Sequence, residues 1–156
     1  MKFYLKTPIF FLLTIFTFTS CVSVKPVYYS DDEKKALAVV EQFHKLYNEQ
    51  NYEEIFNQAH EGAKKAKSKE GLGYALAESF ERLGKFVSSE LIYKKVKPIN
   101  EKERQVEFAF RSKFEKGTRN ETFLIVTTDE KGALYGIGEL KDEELEKLRT
   151  EEKPKS

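Results

Sequence analysis

The spacing of apolar residues along this chain is helical in its first half and strand-like in its second. From Ser30 to Leu83 apolar positions recur every three or four residues, the period of a helix with one buried face. Ala36, Leu37, Val40, Phe43, His44 and Tyr47 share such a face. Ser30, with Glu33 three residues on, forms a capping box ahead of them. Each side chain there closes a free backbone donor of the other residue, so a helix is predicted from Asp31 to about Glu49. Asn51 caps a second, shorter helix that turns Tyr52, Ile55, Phe56 and Ala59 inward. A third is predicted from about Glu70 to Leu83, with Leu72, Ala75 or Leu76, Phe80 and Leu83 inside. Gly84 suits the position just past its end.

Beyond Gly84 the period drops to two. Phe86 to Val96 is a strand with mixed faces: Val87, Leu91 and Tyr93 share one parity, and Phe86, Ile92 and Val96 the other. A bulge near Ser88 and Ser89 reconciles them. Pro98 and Asn100 mark a turn, after which Val106, Phe108, Phe110 and Phe114 alternate with polar residues in a strand with one wet face. Lys116 and Gly117 turn the chain again. Phe123 to Val126 is apolar on both parities and reads as a central strand, and Ala133 to Leu140 closes the set. The fold class expected is α+β, with N-terminal helices packed on a four-stranded antiparallel curved sheet. The expected domain covers residues 31–140. Residues 141–156 form a charged tail in which Leu145 and Leu148 allow a fraying helix.

The chain begins with a different pattern. Lys2 and Lys6 precede an unbroken, mostly apolar run from Ile9 to Phe18, and small Ser20 follows. A spanning helix needs about 20 apolar residues. This run is half that length, which fits a secretory signal over residues 1–20. Cys21, the one cysteine of the chain, stands directly after it. The segment Phe18-Thr19-Ser20-Cys21 resembles the lipobox of bacterial lipoproteins, with Phe18 where that family places an aliphatic residue. The resemblance implies cleavage before Cys21, a diacylglyceryl thioether on its sulfur, and membrane attachment. Two or three acyl chains anchor stably where one binds marginally. Residues 21–30 then form a lipidated tether. Val22, in place of the Asp that retains enteric lipoproteins at the inner membrane, points to the outer membrane.

Processing also changes the charge. Removal of residues 1–20 leaves 136 residues with 25 basic and 26 acidic side chains. No basic field argues for a nucleic-acid partner. The length suffices for one core without disulfides.

The order of elements is similar to the nuclear transport factor 2-like group of the cystatin-like fold class. Ala38-Val39-Val40-Glu41-Gln42-Phe43 through Asn51-Tyr52-Glu53-Glu54-Ile55-Phe56 looks like that group's opening of long helix, break and short helix. Leu83-Gly84-Lys85-Phe86 resembles its helix-to-sheet junction, and Gly136-Ile137-Gly138 the ending of its last strand. The resemblance implies a helix lying in the concave side of the sheet. It does not choose between isomerases, dehydratases and non-enzymatic exported domains.

Candidate chemistry is sparse. His44, on the apolar helix face, is a possible acid or base near neutral pH, or a core-edge histidine bonded to backbone. His60 ends the second predicted helix, where its charge suits the helix C-terminus. Two histidines without a cysteine or a third histidine make no zinc site, and no cofactor is expected. Tyr47, Tyr74, Tyr93 and Tyr135 are possible pocket hydroxyls, of which Tyr47, Tyr93 and Tyr135 with His44 form the candidate ligand set. In the strand Val106–Phe114 the carboxylates Glu107 and Glu115 fall on the wet parity, which disfavours acid–base catalysis in an apolar pocket. Lys64, Lys65, Lys67 and Lys69 form a basic cluster suited to solvent or to anionic head groups. The expectation is an envelope lipoprotein with a non-catalytic binding or interaction domain. The alternatives are a small-molecule enzyme using His44 or a tyrosine, and an accessory protein that pairs with a second copy or a partner through its sheet face.

Overall fold

A computed structural model describes residues 30–151 of the chain. The expected signal sequence over residues 1–20, Cys21 and the expected tether up to Tyr29 lie outside the described residues.

Helix α1 (Asp31–Asn48) opens the domain through the expected capping box. Ser30 Oγ accepts from the Glu33 N–H at 3.3 Å, and the Glu33 carboxylate accepts from the Ser30 N–H at 2.6 Å. Asn51 caps α2 (Tyr52–Gln58) by accepting from the Glu54 N–H at 3.3 Å. Ser68 caps α4 (Lys69–Leu83) by accepting from the Gly71 N–H at 3.0 Å. Between them lies α3 (Glu61–Ala66), a short helix that the apolar spacing did not predict because it buries no residue. Gly84 terminates α4 with φ of 75°, a conformation costly for any residue carrying a Cβ.

The four strands form a meander as expected. They are β1 (Phe86–Pro98), β2 (Arg104–Phe114), β3 (Gly117–Thr127) and β4 (Gly132–Leu140), antiparallel in the order β1-β2-β3-β4. The register of β1 against β2 shifts between Phe86 and Ser88, close to the expected bulge, and again between Leu91 and Tyr93. The second shift corrects the expectation that Leu91 and Tyr93 share a face. The extra residue, Ile92, breaks the alternation. Leu91 therefore packs on the main core while Tyr93 joins a cluster with Ile92, Ala109 and Leu145.

Helices on a curved, unclosed four-stranded antiparallel sheet make an α+β domain, compatible with the nuclear transport factor 2-like arrangement. The core lies between α1 and the sheet, where Val40, Phe43 and Tyr47 meet Phe108, Phe123 and Ile125. Each such fully buried side chain contributes roughly 1.5–3 kcal/mol relative to exposure. Polar contacts pin α1 at both ends. Asp32 pairs with Arg104 at 2.6 Å and accepts from Thr127 Oγ1 at 3.0 Å. At the other end the Asn48 side chain exchanges two hydrogen bonds with the Phe86 backbone, at 3.0 and 2.7 Å. The charged stretch after the sheet forms α5 (Asp142–Glu151), whose Leu145 is fully buried with the outer cluster.

Candidate functional site

α1 carries His44 into the core on the same face as Val40, Phe43 and Tyr47. Its Nε2 lies 3.0 Å from Glu121 Oε2 on β3. The other carboxylate oxygen accepts from Arg119 Nη2, and Arg119 Nη1 donates to Ser79 Oγ of α4 at 2.6 Å. The Tyr47 hydroxyl lies 3.4 Å from Ser79 Oγ and 3.3 Å from the Gly84 carbonyl. One polar chain thus joins α1, β3 and α4 through the interior. Rings enclose it. Phe86 stacks on the His44 imidazole at 3.6 Å and 6°, and Phe43 and Phe123 meet it edge-on at 5.5 and 5.4 Å. Arg119 sits over the Phe114 ring at 5.1 Å, a favourable cation–π placement.

Burial by itself raises the Glu121 carboxyl. The hydrogen bond from His44 and the charges of His44 and Arg119 outweigh it, so the group is held below the ordinary carboxylate value. Burial also raises the Tyr47 hydroxyl.

Sequence reasoning found His44 and Tyr47 but missed Glu121, Arg119 and Ser79. The signal was present. Glu121 has the parity of Phe123 and Ile125, and extending that strand by a few residues toward Gly117 would have placed its carboxylate inside.

A histidine oriented by a carboxylate is half of a general-base arrangement. A groove of about 370 Å³ runs beside it between α1 and the start of β1, with His44, Asn48, Phe86 and Ser88 in its wall. The imidazole is nevertheless only 5% exposed.

The tyrosines do not converge. Tyr47 belongs to the main core and Tyr93 to the outer cluster. Tyr135 is exposed on β4, its ring 5.5 Å from that of His60, and Tyr74 is exposed on α4.

His60 is the N-cap of α3, where the sequence had suggested a helix C-terminus. Its Nδ1 accepts from the Gly62 N–H at 3.1 Å, so Nε2 carries a proton, and Nε2 lies 4.0 Å from Glu103 Oε1. The His60 N–H donates to the Leu134 carbonyl at 2.8 Å and fastens the α2–α3 connection to β4. Beside it is a cleft of about 570 Å³ with an apolar floor that includes Val39, Phe43, Ile55 and Leu134. His60, Lys64, Glu103 and Lys131 stand among its polar residues. The volume falls in the usual small-molecule range of roughly 300–1,000 Å³. Of the expected basic cluster, Lys64 lines the cleft and pairs with Glu61 at 2.9 Å, while Lys69 pairs with Glu53 at 2.5 Å.

No protein-family model matches the chain, and no curated protein matches it. Among the described residues, no group of three His, Cys, Asp or Glu side chains is placed to hold a metal, and no helix is long and apolar enough to cross a membrane.

Proposed function

We propose that the chain is a bacterial envelope lipoprotein, anchored through lipid on Cys21, whose nuclear transport factor 2-like domain binds rather than catalyses. The leader and the Phe18-Thr19-Ser20-Cys21 segment support the anchor. α1 starts at Asp31, so few residues separate the anchor from the folded body. The observation that carries the non-catalytic reading is the enclosure of His44. Its ring lies under Phe86, its Nε2 is committed to Glu121, and Phe43, Phe108 and Phe123 fill the space between helix and sheet. The polar chain serves to fix α1 on the sheet, and the cleft beside His60 is the binding site. Self-association through the part of the outer sheet face that α5 leaves open belongs to the same reading.

Replacing Cys21 by Ser and fractionating cells tests the anchor. The wild-type chain is expected in the membrane fraction and the variant in the soluble fraction; equal membrane association of both would remove the lipid from the account.

The enzyme alternative draws on the His44–Glu121 pair and the groove at its side, and it requires Phe86 to leave the imidazole. Diethylpyrocarbonate discriminates between the readings. In the native protein His60, 30% exposed, is expected to react and His44 to stay protected. Modification of both at similar rates would favour the enzyme.

A further inference from the structure

We propose that the cleft beside His60 takes a single-chain amphiphile with an anionic head, carboxylate or phosphate. Three observations lead there. The floor is apolar side chain from α1, α2 and β4, which suits an acyl chain more than a sugar or a nucleotide. The rim supplies one cation outside any ion pair among the described residues where a head group would rest. Glu61 is occupied by Lys64 at 2.9 Å, and Glu103 accepts from Asn100 Nδ2 at 2.8 Å and faces the protonated Nε2 of His60. Lys131 Nζ, by contrast, is in no ion pair among the described residues, and it stands on the exposed β3–β4 turn at the cleft. An anionic head would find its counter-charge there.

The third observation is position. The wall of the cleft formed by Thr128, Lys131 and Gly132 is fastened to the first turns of α1. Lys35 Nζ donates to the Thr128 and Asp129 carbonyls at 2.9 and 2.8 Å. A Cβ on Gly132 would lie 3.1 Å from Val39 Cγ2 and 3.3 Å from the Lys35 carbonyl, so hairpin and helix are in close approach. That wall of the cleft therefore lies toward the end of the domain where α1 begins, while the floor from Val39 to Leu46 runs further along the helix. Nine residues at about 3.3–3.6 Å each keep that end within roughly 30 Å of an anchoring bilayer. For its source of amphiphile, though not for its chemistry, the inference rests on the membrane attachment proposed above.

The test uses the full chain in total cell lysates, membranes included. These are irradiated with diazirine-bearing hexadecanoate, diazirine-bearing lysophosphatidate, or diazirine-bearing hexadecanol as the neutral probe, and only then fractionated. Both anionic probes are expected to label peptides containing Val39–Leu46 and Gly132–Leu134. Hexadecanol is expected to label them about fivefold less, the ~1 kcal/mol typical of one lysine facing an anionic head. Lys131→Glu should bring the anionic probes down to the hexadecanol level, while Lys97→Glu, exposed on β1, should change nothing. Gln42→Trp, which fills the cleft from α1 without removing a hydrogen bond seen in the structure, should abolish labelling by every probe. Asn57→Trp fills it from α2 and guards against a folding defect in the first variant. Label spread over the surface, equal labelling by hexadecanol, or insensitivity to both filling variants would overturn the proposal. Labelling by one anionic probe alone would assign the head group. A wild-type chain that is labelled in the cleft but fractionates as soluble would remove the anchor and keep the cleft. A membrane-bound chain without cleft label would remove the cleft and keep the anchor.

Discussion

His44 Nε2 stands 3.0 Å from Glu121 Oε2, tying α1 to β3 across 77 positions of sequence. The two side chains are 5% and 0% exposed. A pair so deeply buried adds little net stability, because desolvation of both groups offsets their attraction. Removing one partner is a different matter, since it leaves the other charge or donor uncompensated at about 3–5 kcal/mol. Glu121 also holds Arg119, so Glu121→Ala orphans two partners together. Urea denaturation is expected to show a loss of about 3–5 kcal/mol. A loss under about 1 kcal/mol, the range of an exposed pair, would mean that the polar chain does not hold the helix.

The same carboxylate sets an acid limit. Its folded value lies below the ordinary 4.5, so the unfolded chain binds the proton more readily. Stability then rises with pH across that interval. The contribution is complete above the unfolded value and is lost as pH falls through the lower folded one. The unfolding free energy is therefore expected to decline on acidification below about pH 5, with a flatter decline in Glu121→Gln. Glu33 has a lowered value as well, where the hydrogen bond from Ser30 N–H and the contact with Lys94 outweigh burial, so part of the slope should remain. An unchanged acid limb in Glu121→Gln would show that this carboxyl titrates normally.

Leu145 makes the C-terminal helix part of the folded body. It is fully buried against Ile92, Tyr93 and Ala109. Leu145→Ala should cost about 2–5 kcal/mol and raise amide exchange in β1 around Ile92. Exchange that increases in α5 alone would make the helix an independent appendage.

Two glycines of the α4 region should respond oppositely to alanine. At Gly84 the positive φ of 75° and a Cβ 2.7 Å from Glu115 Oε2 oppose the substitution, and a loss above about 1 kcal/mol is expected. At Gly73, inside α4, a Cβ meets nothing within 4 Å, and a gain of about 0.5–1 kcal/mol is expected. Thermal denaturation reads both, and equal shifts would contradict the backbone argument.

Much of the architecture was legible before any coordinates. The capping box at Ser30, the cap at Asn51, the stop at Gly84 and the four strands of the meander all appear where apolar period and turn chemistry place them. α3 was not legible, because a helix that buries nothing leaves no apolar period.

The candidate site was only half legible. His44 and Tyr47 announce themselves on a helical face, and the parity of Glu121 was available once its strand was drawn long enough. The separation of Tyr93 from Tyr47 was not available, because one extra residue at Ile92 exchanges the faces of β1. Nor was the meeting of His60 with Glu103 and Lys131 around one cleft.

Sequence by itself determined most of the elements and their order, since periods, caps and turns depend on residues within a few positions of one another. Tertiary structure decided which face of β1 meets the core, that Glu121 meets His44, and that a cleft opens between α1, α2 and the β3–β4 turn. Those outcomes depend on strand register and close packing between distant segments, where a shift of one residue reverses what is buried.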